Sequence, residues 1–315
     1  MKLAVLKFGG SSLSNSKRII YIALRIKQYL EFYDRIVVVL SAPANITDEL
    51  SLIHKAVSSL NPPASLLQIG ELISISLMES AVREKNVSAK ALNHYEISII
   101  AEGNESDAKL ISINEKRLKN ELRRYRVLIL PGFIAHTRKM KPVTLGRGGS
   151  DYTAVFLSDI LSSPCYLYSD IKGIYSSNPL QIADALKLEK VSYSELSRMI
   201  ECGVQIRQIK AVNFALRKKI KLYLGSSFLS DEKPTEISKD TSDKRIKFIS
   251  RHEIEKTTLF FVANKIESRE QIIKEIKASF PQSSIKLKKD ILILKNQNPV
   301  SDKRFSETHR RFILK

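Results

Sequence analysis

Two short stretches place side chains that handle anions. In KFGGSS, residues 7–12, a lysine precedes two glycines and two serines. Glycine lacks a Cβ, so its backbone amide can approach a polyphosphate closely, and a following helix turns its positive end to the same oxygens. Lys7 can then reach a transferring phosphoryl group, with Gly9 and Gly10 beside the phosphates. The order is the reverse of a Walker A loop, where the lysine follows the glycines. In TLGRGGSDYTA, residues 144–154, Arg147 is flanked by glycines and followed by Ser150 and Asp151. Its guanidinium offers a planar fork to a carboxylate. Gly148 and Gly149 expose amides, and Ser150 and Asp151 open a helix. A third stretch, SDIKGIYSSNP at 169–179, offers Asp170 to a ribose hydroxyl and Tyr175 to a base. Each stretch alone is also compatible with a plain turn, the third most of all.

The elements that must carry these groups alternate. LAVLKF (3–8) reads as a strand, and a helix capped at Ser16 follows, with Ile19, Ile22, Ile26 and Leu30 at helical spacing. Apolar runs at 35–40, 127–130, 165–168 and 220–224 have the character of buried parallel strands. Helical patterns cover 48–60, 65–84, 151–162 and 192–218. The alternation predicts an α/β fold with a mainly parallel sheet and helices on both faces. In such sheets ligands bind beyond the C-terminal ends of the strands, where the third stretch lies. Residues 229–245 are polar and read as a linker. After it, a strand at 257–263, a helix at 268–280 and a strand pair at 284–295 predict a small α+β module, with a frayed basic tail over 299–315.

Composition narrows the classes. A hydrophobic share of 43% and a charged share of 27% fit a folded globular chain of one large or two smaller domains. Cys165 and Cys202 are too few for a disulfide framework and are expected to be buried free thiols. The five histidines lack metal-ligand spacing, so no metal site is expected. The net charge of +19 is weighted to residues 201–315, where 26 Lys+Arg meet 14 Asp+Glu. Aromatic residues that stack bases are not interleaved there, so a solvated basic surface is expected and no nucleic-acid partner. No apolar run approaches a membrane span, and the first apolar stretch ends at Lys7, too short for a signal peptide. A cytoplasmic location is therefore expected.

Taken together, KFGGSS, SAPANITDEL (41–50), IGELIS (69–74), TLGRGGSD and SDIKGIYSSNP, in this order, closely resemble the aspartate kinases of the amino-acid-kinase family. The resemblance runs from residue 1 to the SSF at 226–228, and the short TDEL-to-GE spacing is similar to compact monofunctional bacterial members. It implies a three-layer α/β/α sandwich over 1–228, a linker over 229–245, and one reduced ACT-like module over 246–315. It implies phosphoryl transfer from ATP, as its Mg²⁺ complex, to the β-carboxylate of L-aspartate, the first step towards lysine, threonine and methionine. Under this resemblance Lys7 stabilises the transferred group and Gly9, Gly10 and Ser11 line the phosphates. Thr47 and Glu71 hold the amino acid, Glu71 by its ammonium, and Arg147 clamps its α-carboxylate. Ser150 and Asp151 organise the phosphate end and Lys7, and Ser169, Asp170 and Tyr175 contact the nucleoside. Assembly of relatives through ACT modules makes a homodimer an expectation.

The chain departs from the family at several points. Asn178-Pro179-Leu180 stands where Asp-Pro-Arg is usual, Gln205 where a lysine is usual, and Leu72 where an arginine is usual. Lys172 stands where an acidic residue is common, and Lys172, Arg207 or Lys210 could replace lost charge. A weakened relative acting as a binding or regulatory subunit is the alternative reading. The short C-terminal part implies weakened feedback control.

Overall fold

The computed structural model describes residues 1–202, 209–228, 232–239, 246–252, 257–262, 269–288, 291–295 and 300–313. In chain order the elements begin β1 (Leu3–Phe8), a 3-10 turn (Gly10–Leu13), α1 (Ser16–Tyr29), β2 (Arg35–Leu40), α2 (Ile46–Val57), α3 (Ala64–Arg83) and β3 (Ala89–Ala91). Then come β4 (Ile100–Asn104), β5 (Asp107–Ser112), α4 (Glu115–Arg124), β6 (Val127–Pro131), β7 (Ile134–His136), β8 (Pro142–Thr144), α5 (Gly149–Ile160) and β9 (Cys165–Ser169). The chain continues through β10 (Lys190–Ser192), α6 (Tyr193–Glu201), α7 (Ile209–Lys218), β11 (Leu222–Ser226) and β12 (Thr235–Ser238). It ends with β13 (Ile246–His252), β14 (Thr257–Val262), α8 (Arg269–Ser279), β15 (Ser284–Lys288), β16 (Ile291–Lys295) and α9 (Asp302–Ile313). Two compact units result. One joins Met1–Lys172 with Arg207–Pro234, the other Gly173–Ile206 with Thr235–Lys315.

In the first unit the strands lie in the order β11-β9-β1-β2-β6-β3, each neighbouring pair parallel. The pleat of β1 sorts its side chains between two faces. Ala4, Leu6 and Phe8 join Ile22, Ala23 and Ile26 of α1 and Ile75, Met78 and Val82 of α3 in one cluster. Lys7 faces the other way and meets Asp151 of α5, and α5 packs on α7. Helices on both faces explain why the strands read as unbroken apolar runs, and the mixed α/β fold with its large, mainly parallel sheet is as expected. Against the expectation that no apolar run approaches a membrane span, α3 is long and apolar enough, by length and composition alone, to cross a membrane. Here it is a core helix that buries Gly70, Glu71, Ser74 and Ile75.

Three local expectations change. The cap of α1 is Asn15, whose side chain accepts from Arg18 N, and Ser16 is the first helical residue. The helix expected over 192–218 is two: α6 ends at Glu201 and α7 starts at Ile209, with 203–208 outside the described residues. A smaller sheet, β5-β4-β7-β8, was not anticipated, since its strands are too short for a periodic signal.

In the second unit β13-β14-β16-β15 form an antiparallel sheet with α8 and α9. Its core joins Ile249, Ile276, Phe280, Leu294, Phe305 and Ile313 with Ile182, which comes from the segment after β9. β12, inside the stretch read as a linker, pairs in parallel with β10. Residues 229–231 and 240–245 lie outside the described ones. The tail expected to fray is helix α9 from Asp302 to Ile313, because Phe305, Thr308, His309 and Ile313 recur on one buried face.

Candidate active site

The site begins where three strands end together. Phe8 of β1 pairs with Leu40 of β2 and Tyr168 of β9. Beyond it the backbone turns at Gly9, whose N–H donates to Tyr168 O at 3.3 Å, and Ala44 N donates to Gly10 O at 3.0 Å. A Cβ on Gly10 would stand 2.6 Å from Ala42 O, so the approach of the 41–44 loop demands glycine. A Cβ on Gly9 would find only Lys7 Nζ at 3.4 Å and Tyr168 O at 3.9 Å. The bare glycine thus keeps open the space beside the lysine. Ser11 lies in the following 3-10 turn, and its carbonyl accepts from Arg18.

Lys7 Nζ lies 3.0 Å from Asp151 Oδ1, and each residue is 5% exposed. Burial makes this pair costly to break from either side. Asp151 is in the first turn of α5, where the helix dipole favours a carboxylate. Gly148, in the left-handed region at φ 75°, caps that helix. Next to Asp151, Ser150 Oγ accepts a hydrogen bond from Ser41 Oγ at 3.0 Å. Ser74 of α3 donates to Ser41 O at 2.7 Å.

Glu71 completes the run. Ala42 N donates to its Oε1 at 3.2 Å, while the buried Oε2 has no partner among the described residues. Burial pushes its carboxyl up to about 7, against the pull of the Ala42 N–H. Gly70 lets α3 press on the loop, since a Cβ there would lie 2.7 Å from Ala42 Cβ. A continuous path thus links Glu71, the 41–44 loop, Ser150, Asp151, Lys7 and the glycine turn. It offers a buried ammonium with its counterion beside a helix N-terminus, and a buried carboxylate with one oxygen to spare. The first suits a phosphoryl group in transfer, the second a cation such as an ammonium.

The other expected residues distribute as follows. Thr47 is half-buried in the first turn of α2, against α3 through Ile46 and Gly70. Arg147 is exposed between Gly146 and Gly148, both left-handed, and no carboxylate pairs with it among the described residues. Ser169 and Asp170 follow Tyr168 in the first unit, and Ser169 Oγ accepts from Ile171 N at 3.1 Å. Tyr175 belongs to the second unit, where it bridges to Lys187. Among the departures, Leu72 packs on the α1–α3 cluster, Lys172 lies 3.9 Å from Glu232, and Leu180 is 95% exposed. Lys210 pairs with Asp107. Gln205 and Arg207 lie outside the described residues. Cys165 and Cys202 are buried free thiols, each pushed up to about 12 by desolvation.

Four contributors were missed in the sequence: Ser41, Gly70, Ser74 and Gly132. Ser41 was read only as part of a motif. Gly132 follows Pro131 at the end of β6, and that Pro-Gly pair was its one signal. A Cβ on Gly132 would fall 2.5 Å from Ser150 Cβ, so this glycine sets how close α5 comes to the strand ends.

Residues 2–226 match the sequence model of the amino acid kinase family. The chain belongs to that family. Among relatives of this amino acid kinase, an aspartokinase of Thermus thermophilus is 34% identical over 233 residues, 72% of this chain and 57% of its own length. An aspartokinase of Mycobacterium tuberculosis is 34% identical over 72% of this chain and 55% of its own length. This amino acid kinase thus spans a little over half the length of these curated relatives. Among solved structures, an aspartate kinase from Synechocystis is 25% identical with TM-score 0.66, over 93% of this chain and 52% of that one. E. coli aspartokinase III in complex with aspartate and ADP has TM-score 0.68 at 20% identity, over 98% and 83%, a likeness of fold.

Proposed function

We propose that this amino acid kinase is an aspartate kinase, transferring the γ-phosphoryl group of ATP to the β-carboxylate of L-aspartate. One observation carries the reading: a single bonded path joins the buried Lys7–Asp151 pair to the unfilled oxygen of Glu71. The names of the similar aspartokinases, and the aspartate and ADP in one related structure, supply the substrates.

In this reading the backbone amides of Gly9, Gly10 and Ser11 receive the phosphates, and Lys7 meets the charge that develops on the group in transfer. Asp151 holds Lys7 in place, with Ser150 ordering the same helix turn. Glu71 takes the substrate ammonium, Arg147 its α-carboxylate, and Thr47 lines the same end. Ser169 and Asp170 contact the nucleoside. The attacking β-carboxylate is ionised near neutrality, so the chain needs no general base. Its work is in-line positioning and cancellation of charge. Among the described residues no three acidic, His or Cys side chains gather as a metal cluster. Mg²⁺ would accordingly enter with the phosphates and neutralise their charge. The same reading places the catalytic part in 1–228 and an ACT-like module in 246–315, in a cytoplasmic homodimer.

A hydroxamate assay tests it. With ATP, Mg²⁺ and L-aspartate, hydroxylamine traps the acyl phosphate; the signal is expected with aspartate, absent with L-glutamate, and lost in Lys7→Ala. A folded wild-type protein giving no aspartate-dependent hydroxamate would overturn the reading.

A further inference from the structure

The turn after β11 is tied to both halves of the nucleotide side by groups that the reaction does not use. Ser227 and Ser12 are fully buried, with their Oγ atoms 2.5 Å apart. Ser12 belongs to the 3-10 turn that follows the glycine pair. Ser227 N donates to Ser169 O at 2.8 Å. One residue therefore bonds the phosphate turn through its side chain and the nucleoside segment through its backbone. Arg25 of α1, 5% exposed, donates from Nη1 to the carbonyls of Ser226 and Ser227, both at 2.6 Å. Its guanidinium lies 4.0 Å from the ring centre of Tyr168, the residue before Ser169. Among the described residues no carboxylate pairs with it; carbonyls and an aromatic face carry its charge. Arg18 reinforces the tie, donating to Ser11 O at 2.5 Å and lying over the Phe228 ring.

Apolar side chains would fill this volume without desolvating a cation and two hydroxyls. What the polar set adds is direction, because hydrogen bonds fix angles as well as distances. We propose that Arg25, Ser227 and Ser12 are positioning residues that hold the phosphate turn and the Ser169 segment at the spacing an adenine nucleotide needs. The proposal rests on the nucleotide site assigned above.

The test is calorimetric binding of ADP to the full chain, with binding of L-aspartate measured alongside. The proteins are wild type, Ser12→Ala, Ser227→Ala, the double variant, and Arg25→Lys. Each single serine variant is expected to weaken ADP about tenfold, the size of one buried hydrogen bond. The double variant should be no weaker than the poorer single, because both remove the same contact. Arg25→Lys keeps the charge but loses the planar guanidinium over Tyr168 and the Nη1 position that reaches both carbonyls, so it should weaken ADP to a similar degree. Aspartate affinity should stay within about twofold, as expected of a site that these groups do not touch. Single variants that melt like wild type and bind ADP unchanged would overturn the proposal. Equal loss of ADP and aspartate would also overturn it, as general loosening. A wild type that binds aspartate but not ADP would bring down the nucleotide site, and the proposal with it.

Discussion

Lys7 and Asp151 form a buried pair 3.0 Å apart, and Glu71 is a buried carboxylate without a full set of partners. Asp151→Asn leaves an ammonium in the core without its counterion. Denaturant unfolding should register a loss of about 3–5 kcal/mol, and phosphoryl transfer should collapse. Lys7→Met with Asp151→Leu removes both charges; stability should return while activity does not, which separates the two roles. Glu71 predicts a pH dependence. The folded state keeps its proton to about 7, against 4.5 for the ordinary group. This contribution to stability is complete below about 4.5 and is lost as pH rises to 7, on the order of 3 kcal/mol in all. An ammonium beside Oε2 favours the carboxylate, so binding aspartate should release a proton. Affinity should rise about tenfold per pH unit up to 7 and then level off, and Glu71→Gln should flatten the curve. Calorimetry in buffers of different ionisation enthalpy reads the proton directly; an affinity flat from pH 5.5 to 7.5 would contradict the assignment.

At the scale of elements, α5 carries Ser150 and Asp151 and must come close to the ends of β2 and β6. Gly132 permits that approach, and Gly132 N also donates to Leu40 O at 2.8 Å. Gly132→Ala brings a Cβ within 2.6 Å of Ser150 Cα, an atom of the backbone that cannot swing aside. The first turn of α5 must shift, and a displacement near 1 Å can cost about a hundredfold in rate. The expected outcome is an unchanged circular dichroism spectrum with kcat down by that order; a kcat within threefold of wild type would show that the turn has room. The glycine turn, β1 and the start of α5 were legible beforehand, because glycine pairs and helix openings are local signals. β4, β5, β7 and β8 were not, being short strands whose partners lie far along the chain. α9 was hidden by its own charges: three of its residues are arginine, yet Phe305, His309 and Ile313 share one buried face.

For the whole molecule, the family match stops at residue 226. Among the described residues beyond it, β13 to β16 form a four-stranded antiparallel sheet with α8 and α9. Residues 246–315 contain no glycine, so on the proposed reading this sheet has no close-approach turn with which to grip an effector. Lysine or threonine at millimolar concentration should leave the hydroxamate rate unchanged and give no heat of binding; inhibition accompanied by a binding isotherm would refute this.

The sequence alone determined the alternation of strands and helices, the position of Lys7 at a strand end, and the glycine-rich openings at 9–10 and 148–149. These follow from side-chain periodicity and from backbone conformations that few residues tolerate, so neighbours a few positions apart encode them. Tertiary structure alone decided that Glu71 is buried with a spare oxygen, that Ser41 meets Ser150, and that Ser227 ties Ser12 to Ser169. It also decided that Tyr175 falls in a different unit from Ser169. Ser12 and Ser227 are 215 positions apart. A hydroxyl or carboxyl takes its hydration, partners and proton affinity from whatever the fold brings against it, and no local pattern of residues carries that information.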